Sequence, residues 1–418
     1  MSKITDPIDV LGAKAKAASR KLYSVTTDTK NKALTEMAKA IKSGTEQILQ
    51  ANNEDMRVAA AKGTTAALLD RLLLNEERVL DMAKALVDIA DLDDPIGKVV
   101  DEWKRPNDLD IKRVRVPLGV IGVIYEARPN VTVEAAGLCL KTSNAVILRG
   151  GSLAFNTNKA LVDILQVAAS KAGVPDNAIA MIEDVSHETA DKFMALQDLD
   201  VLIPRGGEKL KEAVVEKAKV PVLWAAAGNC HTYVDKDADI DMARNIAINA
   251  KVQRPGVCNA METLLVHKDI AERFLPETIK ELQENDVEIR GDETTKSLAS
   301  DVKEATDGDY YTEFLDLILA IKVVNSVDEA IEHINKFGTL HSEAIVTADE
   351  KTAEKFKTNV DAAVVYVNAS TRFTDGGEFG LGAEMGISTQ KLHVRGPMGL
   401  EALTSTKYVI EGNGQVRG

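Results

Sequence analysis

The chain is poor in aromatics, in cysteine and in long apolar runs. Aromatic residues are only 4% of its 418 residues, so its cores must be built from Ala, Val, Leu and Ile. Its three cysteines, Cys139, Cys230 and Cys258, are an odd and sparse set. That argues against a disulfide framework, matches no zinc-site spacing, and points to reduced thiols in a cytoplasmic setting. No apolar segment follows the Met1-Ser2-Lys3 start, and no run approaches the roughly 18 apolar residues of a membrane span. Positive charge is in deficit, with 51 Lys and Arg against 65 Asp and Glu and a net charge of −14. Nucleic acids and anionic membranes are therefore disfavoured as partners. A small anionic substrate stays open, because a local Arg/Lys pocket can oppose the global sign. Neither GxGxxG nor a Walker A motif occurs, which excludes an ordinary Rossmann fingerprint and a P-loop.

What is present is α/β patterning. A single core rarely exceeds about 250–300 residues, so two or more domains are expected. The first ninety or so residues read as helices. Leu34, Met37, Ala38 and Ile41 share one helical face, as do Val79, Met82, Ala83, Leu86, Val87 and Ala90, with Asn75 as the N-cap and Glu76-Glu77-Arg78 as a solvated face. Val99 to Val116 reads as a polar ribbon turning at Pro106-Asn107-Asp108. It has too little apolar surface to stand alone, so it packs on the body or reaches a second subunit. Strands at 120–124, 145–148, 179–182 and 201–203 then alternate with helices at 132–140, 158–171, 189–196 and 207–217, which implies βαβ units and a buried parallel sheet. After Gly228 the pattern restarts. Strands at 263–266, 321–324, 344–346 and 364–367 alternate with helices at 239–250, 268–284, 327–336 and 351–358.

Several segments invite chemistry. Cys258 follows a Pro255-Gly256 turn and precedes an apolar strand, a junction where a thiol can be both held and reachable. A lone cysteine is more often a small buried hydrophobe, so the rest of the chain must decide. Arg149-Gly150-Gly151-Ser152 and Arg205-Gly206-Gly207 both end predicted strands, where parallel sheets bind ligands. Glycine lets backbone approach a phosphate and arginine adds a charged fork; the plain alternative is two tight turns. Asn130, after Arg128-Pro129, reads as a helix N-cap, and could instead aim its amide at a developing oxyanion. The Gly-rich run Phe379–Lys391 reads as a loop, lining something or merely connecting. His231 beside Cys230 reads as a structural histidine, with no third orienting partner for a Cys258 pair.

Taken in order, these segments carry a resemblance. Pro117–Glu126, Arg128–Val133, Ala145–Ser152, Ile203–Gly207, Gly228-Asn229-Cys230-His231, the Cys258 turn, Tyr366–Gly377 and the stretch on to Glu401 resemble the γ-glutamyl phosphate reductase family of the aldehyde dehydrogenase superfamily. The ordered set is highly specific, while the helical N-terminal part agrees only in length and texture. The resemblance implies an aldehyde-dehydrogenase-like α/β fold. Residues 1–97 and 117–227 would bind NADPH and 228–385 would carry catalysis, with 386–398 as a return segment. Residues 98–116 and 399–418 would form an oligomerisation hairpin and tail, giving a homodimer or a dimer of dimers.

The implied reaction converts L-glutamyl 5-phosphate and NADPH to L-glutamate 5-semialdehyde, phosphate and NADP, a step of proline biosynthesis. Cys258 would be the nucleophile, and its N–H with the Asn130 side chain would hold the oxyanion. Arg149 matches a lysine on the adenosine ribose, with Gly150 and Gly151 beside it. Ser152 replaces a glutamate of NAD-preferring relatives and leaves room for a 2′-phosphate. Arg205, Gly206 and Gly207 match the pyrophosphate turn, and Glu313 matches the glutamate on the nicotinamide ribose. Arg254 and Arg395 are expected on the substrate phosphate or carboxylate. No metal is implied; glutamate 5-kinase is an implied partner. The family usually reads Glu-Thr-Gly-x before Gly-Asn-Cys-His, whereas this chain reads Trp224-Ala225-Ala226-Ala227. Loss of that water-activating glutamate fits a reductase, and Trp224 either stacks on the nicotinamide or obstructs it. A non-phosphorylating aldehyde dehydrogenase and a catalytically inactive partner scaffold are the alternative readings.

Overall fold

A computed structural model describes residues 6–417. The chain divides into two compact units. One holds the residues up to Trp224, Leu381–Met385 and those from Met398 onward; the other holds Ala225–Gly380 and Gly386–Pro397.

The first unit opens with α1 (Pro7–Leu22), α2 (Thr27–Ser43), α3 (Thr45–Ala61), α4 (Ala66–Leu72) and α5 (Glu76–Asp91). Side chains of Asp6, Thr26, Thr65 and Asn75 cap four of them by accepting first-turn N–H groups, which satisfies donors a helix start leaves free. The predicted apolar faces of α2 and α5 are buried except for half-buried Val87, and these two helices pack on each other. Next comes a β-ribbon, β1 (Val99–Lys104) and β2 (Asp110–Pro117), paired antiparallel. Then β3 (Val120–Tyr125), α6 (Asn130–Lys141), β4 (Ala145–Gly150), α7 (Phe155–Lys171), β5 (Ile179–Met181), α8 (His187–Met194), β6 (Val201–Arg205) and α9 (Glu208–Lys217) alternate. Their parallel sheet has the order β5-β4-β3-β6. Strand order reverses between β3 and β6, which opens a crevice beyond their carboxyl ends.

The second unit runs β7 (Cys230–Val234), α10 (Ile240–Val252), β8 (Met261–His267), α11 (Lys268–Glu284), β9 (Glu288–Gly291), α12 (Glu293–Leu298) and β10 (Lys303–Glu304). It continues with α13 (Asp307–Tyr310), β11 (Ile318–Val324), α14 (Val327–Phe337), β12 (Ser342–Val346), α15 (Glu350–Asn359) and β13 (Val364–Val367). These strands form one parallel seven-stranded sheet of order β10-β9-β11-β8-β7-β12-β13. The period-2 alternation of β8 divides two cores. Leu264 and Val266 pack with Phe274, Ile279 and Ile321 on one face; Leu265 packs with Tyr233, Ile345 and Phe356 on the other. After β14 (Ile387–Ser388) and β15 (Gly396–Pro397), the chain rejoins the first unit, where β16 (Thr404–Glu411) pairs antiparallel with β2.

The expected α/β architecture with two parallel sheets is thus observed. In the seven-stranded sheet, strands β7, β9 and β10 add to those predicted. β9 and β10 are short and charged, so neither alternation nor an apolar run marks them.

Candidate active site

Cys258 sits in an irregular turn between α10 and β8, at the amino end of a strand rather than the carboxyl end. It is neither buried nor fully exposed, in contrast to Cys139 and Cys230, which are buried. Burial pushes both of those thiols well above the ordinary range, which makes them inert as nucleophiles.

The turn is pinned at backbone level. A Cβ on Gly228 would stand 1.4 Å from the Cys258 carbonyl oxygen, so only glycine permits this approach of two backbones. Cys230 donates its thiol to the same carbonyl at 3.2 Å. The Gly228 N–H is given to the Glu313 carboxylate at 2.6 Å, which ties the loop of Glu313 to the nucleophile. Asn229 reinforces this, its Nδ2 donating to the carbonyls of Tyr310 and Phe337 at 2.7 and 2.9 Å. Beneath the turn, Lys251 Nζ lies 2.6 Å from Glu262 Oε2, both fully buried. Glu262 Oε1 accepts the Leu315 N–H at 3.1 Å. Burial pushes the Glu262 carboxyl up to about 7, against the pull of Lys251.

Three arginines of this unit are held differently. Arg254 is exposed four residues before Cys258 and makes no ion pair among the described residues. Arg395 does make one, its Nη2 lying 2.6 Å from Asp361 Oδ1. Arg372, which sequence reasoning did not single out as a site residue, donates Nε to Gln253 Oε1 at 2.9 Å and Nη1 to Asn259 Oδ1. Its burial, and next the Arg254 charge, pull the guanidinium below its ordinary value, while Cys258 and Asp375 oppose this.

The first unit holds the predicted cofactor residues other than Glu313, which belongs to the second. Gly150 packs against the Asn158 side chain, and a Cβ on Gly151 would meet the Glu126 carbonyl at 2.6 Å, so both glycines have packing reasons. Gly207 does not: a Cβ there meets nothing within 4 Å, and its φ of −76° suits any residue. It stands at the start of α9, and its N–H is held by the Glu126 carboxylate at 3.2 Å. A helix start between the ends of β3 and β6 can receive an anion, and a cofactor pyrophosphate seated there would have to displace the Glu126 carboxylate. Arg149 donates Nη2 to the carbonyls of Val185 and Ser186 at 2.7 and 3.1 Å, while its buried Nε has no partner. Ser152 is exposed beside it.

Two expectations are corrected. Asn130 is not an N-cap: Pro129 takes that place in αR conformation, Asn130 is already helical, and its Nδ2 donates to Glu134 Oε1 at 2.9 Å. His231 does have an orienting partner, since Glu343 Oε2 accepts both its N–H at 2.8 Å and its Nδ1 at 2.9 Å inside the core. His341 Nδ1 lies 3.7 Å from Cys230 Sγ.

Comparison with known proteins gives the family. The sequence matches the aldehyde dehydrogenase family over residues 5–305 and 312–409. It is 59% identical over 411 residues to the gamma-glutamyl phosphate reductase of Heliobacterium modesticaldum, covering 98% of this chain and 99% of that one. It is 58% identical to that of Moorella thermoacetica, covering 98% of each. The crystal structure of gamma-glutamyl phosphate reductase from Thermotoga maritima superposes with a TM-score of 0.96 at 48% identity, covering 99% of this chain and all of that one. The chain therefore belongs to the aldehyde dehydrogenase family of oxidoreductases, and within it to the gamma-glutamyl phosphate reductases.

Proposed function

We propose that this chain reduces L-glutamyl 5-phosphate to L-glutamate 5-semialdehyde with NADPH, releasing phosphate, through a thioester on Cys258. The observation that carries the reading is a partly exposed thiol on a turn whose carbonyl is clamped by Gly228 and by the Cys230 thiol. The relatives' names supply the substrate.

The Cys258 thiolate attacks the acyl carbon; the C–O bond to phosphate breaks and phosphate departs with that electron pair. The carbonyl oxygen becomes an oxyanion at this step and again at the reduction. The Cys258 N–H is proposed to donate to it, with the Asn130 amide as second donor on its residue type and motif. A nicotinamide held by the residues named below would supply the hydride for reduction of the thioester. Collapse then breaks the C–S bond, frees the aldehyde and restores the thiolate. No water-activating carboxylate occurs in Trp224-Ala225-Ala226-Ala227, which spares the thioester from hydrolysis. Arg149, Gly150, Gly151, Ser152, Arg205, Gly206, Gly207 and Glu313 are proposed to hold the cofactor, and the neutral Ser152 to leave room for a 2′-phosphate.

No helix among the described residues is long and apolar enough to cross a membrane, and a cytoplasmic location is part of the proposal. So is a homodimer or dimer of dimers built through the β1-β2-β16 sheet, and a glutamate 5-kinase that delivers the labile acyl phosphate. The test runs the reaction backward. NADP reduction by L-glutamate 5-semialdehyde should depend strictly on phosphate, and Cys258→Ser should abolish it while leaving NADPH binding intact. Oxidation at the same rate without phosphate, or full activity in Cys258→Ser, sinks the reading.

A further inference from the structure

Asn259, the residue after Cys258, is clasped by a distant turn. Its Nδ2 donates to the carbonyls of Arg372 and Thr374 at 3.3 and 2.9 Å, and Thr371 Oγ1 donates to its carbonyl at 2.7 Å. In return Asn259 Oδ1 and Gln253 Oε1 receive the guanidinium of Arg372. Two neutral amide oxygens thus hold a half-buried cation rigidly beside the nucleophile. Among the described residues neither Arg372 nor Arg254 has a carboxylate partner within ion-pair distance. In the same unit Arg395 is paired with Asp361 and Arg290 with Asp309.

A desolvated cation beside a second cation is unfavourable unless an anion joins them. A guanidinium fork fits two oxygens of a tetrahedral anion, and such a site is worth most where negative charge grows in the transition state. In a chain of net charge −14, a dianion needs a local reason to approach.

We propose that Arg372, backed by Arg254, is the subsite for the phosphate group of the acyl phosphate. This rests on the reaction proposed above and names the residues that hold its leaving group. Arg395, held by Asp361, is not part of the subsite. Arg372 contacts the phosphate as it departs, and Gln253 and Asn259 are the positioning residues that aim the fork.

The test needs no turnover. Cys258 is alkylated with neutral iodoacetamide and, separately, with anionic iodoacetate, with and without inorganic phosphate, and the modified residue is identified by peptide mass. In the unmodified protein, phosphate should slow alkylation, and iodoacetate should gain on iodoacetamide relative to free thiol. In Arg372→Gln the phosphate protection should vanish and the iodoacetate advantage fall several-fold. Cys139 and Cys230 must stay unlabelled, which certifies the fold. Arg372→Lys, read in parallel in case the first variant misfolds, keeps the charge but not the fork; it should keep the iodoacetate advantage and lose most of the protection. Undiminished phosphate protection in either folded variant overturns the assignment, as does protection by glutamate but not by phosphate. Failure of the reaction is separable. A protein with phosphate protection but no reductase activity keeps the subsite and loses the reaction. An active protein whose KM for phosphate is unchanged in Arg372→Gln keeps the reaction and loses the subsite.

Discussion

Lys251 and Glu262 form a 2.6 Å ion pair that no solvent reaches, and the turn that carries Cys258 runs between them. Lys251 ends α10 and Glu262 opens β8, so the pair closes the base of that turn. The second oxygen of Glu262 holds the N–H of Leu315, a non-glycine residue at a φ of 54°. One carboxylate thus braces both the nucleophile turn and the strained loop of Glu313. Removing one partner of a buried pair leaves a stranded charge, so Glu262→Gln should lose about 3–5 kcal/mol in chemical denaturation. The double change Lys251→Met with Glu262→Leu should recover most of that stability, since hydrophobic isosteres often replace buried pairs at little cost. It should not recover turnover, because Leu315 still lacks its acceptor and small displacements at a reacting centre cost on the order of 100-fold. A double variant with wild-type turnover would show that the brace plays no part in placing Cys258.

Gly207 offers a clean probe of the first unit. The free protein has no packing or backbone reason for glycine there. Alanine is a poorer cap than glycine for α9, so Gly207→Ala should cost no more than about 1 kcal/mol, a shift of a few degrees at most in melting temperature. If NADPH brings its pyrophosphate against this backbone, the added methyl should weaken NADPH binding by roughly tenfold or more, about 1.4 kcal/mol. Nucleotide fluorescence titration reads it. Unchanged affinity would place the pyrophosphate elsewhere.

Much of this could be read from the chain, and the remainder has a common cause. The α2 and α5 faces, the apolar strands and the Cys258 turn announce themselves locally, through periodicity and turn residues. The Asn130 error was one of local rivalry, because the carbonyls of Arg128 and Pro129 take the first N–H groups and Asn130 is already inside the helix. The long-range pairs leave no local mark. Arg372 meets Asn259 across 113 residues, and His231 meets Glu343 across 112. Lys251 and Glu262 are charged types normally assigned to solvent, and nothing short of the fold shows them sealed together.

The β1-β2-β16 sheet supplies a prediction about assembly. Ile111 of β2 lies directly opposite Trp103 on one side and Ile410 on the other, so the three share a face. Trp103, Ile410 and the neighbouring Tyr408 are 41%, 56% and 61% exposed, an apolar row on an otherwise charged sheet. Such a patch suits the interface of the proposed oligomer. Trp103→Asp should weaken self-association by about 2 kcal/mol or more, roughly thirtyfold, as a buried aromatic anchor does. Analytical ultracentrifugation across micromolar concentrations should show dissociation in the variant only. Identical sedimentation of both proteins would move the interface elsewhere.

His341 predicts how the fold responds to acid. It is wholly buried, with Nδ1 2.8 Å from Ser342 Oγ, and burial pulls its pKa down to about 4 from an unfolded value near 6.5. Between those values the unfolded chain binds the proton and the native chain refuses it. Stability from this group is therefore complete above about pH 6.5 and is lost progressively as pH falls toward 4, by about 3 kcal/mol in all. Glu262 acts in the opposite direction over part of this range, since its raised value makes the native state gain protons below about 7. Wild type alone would blur the two effects. His341→Asn isolates one of them, because the Glu262 contribution cancels in the difference. In urea titrations from pH 7 to pH 4, the stability advantage of wild type over the variant should shrink by about 3 kcal/mol. A difference that stays constant with pH would mean that His341 accepts its proton inside the fold, and that acid unfolding begins at some other group.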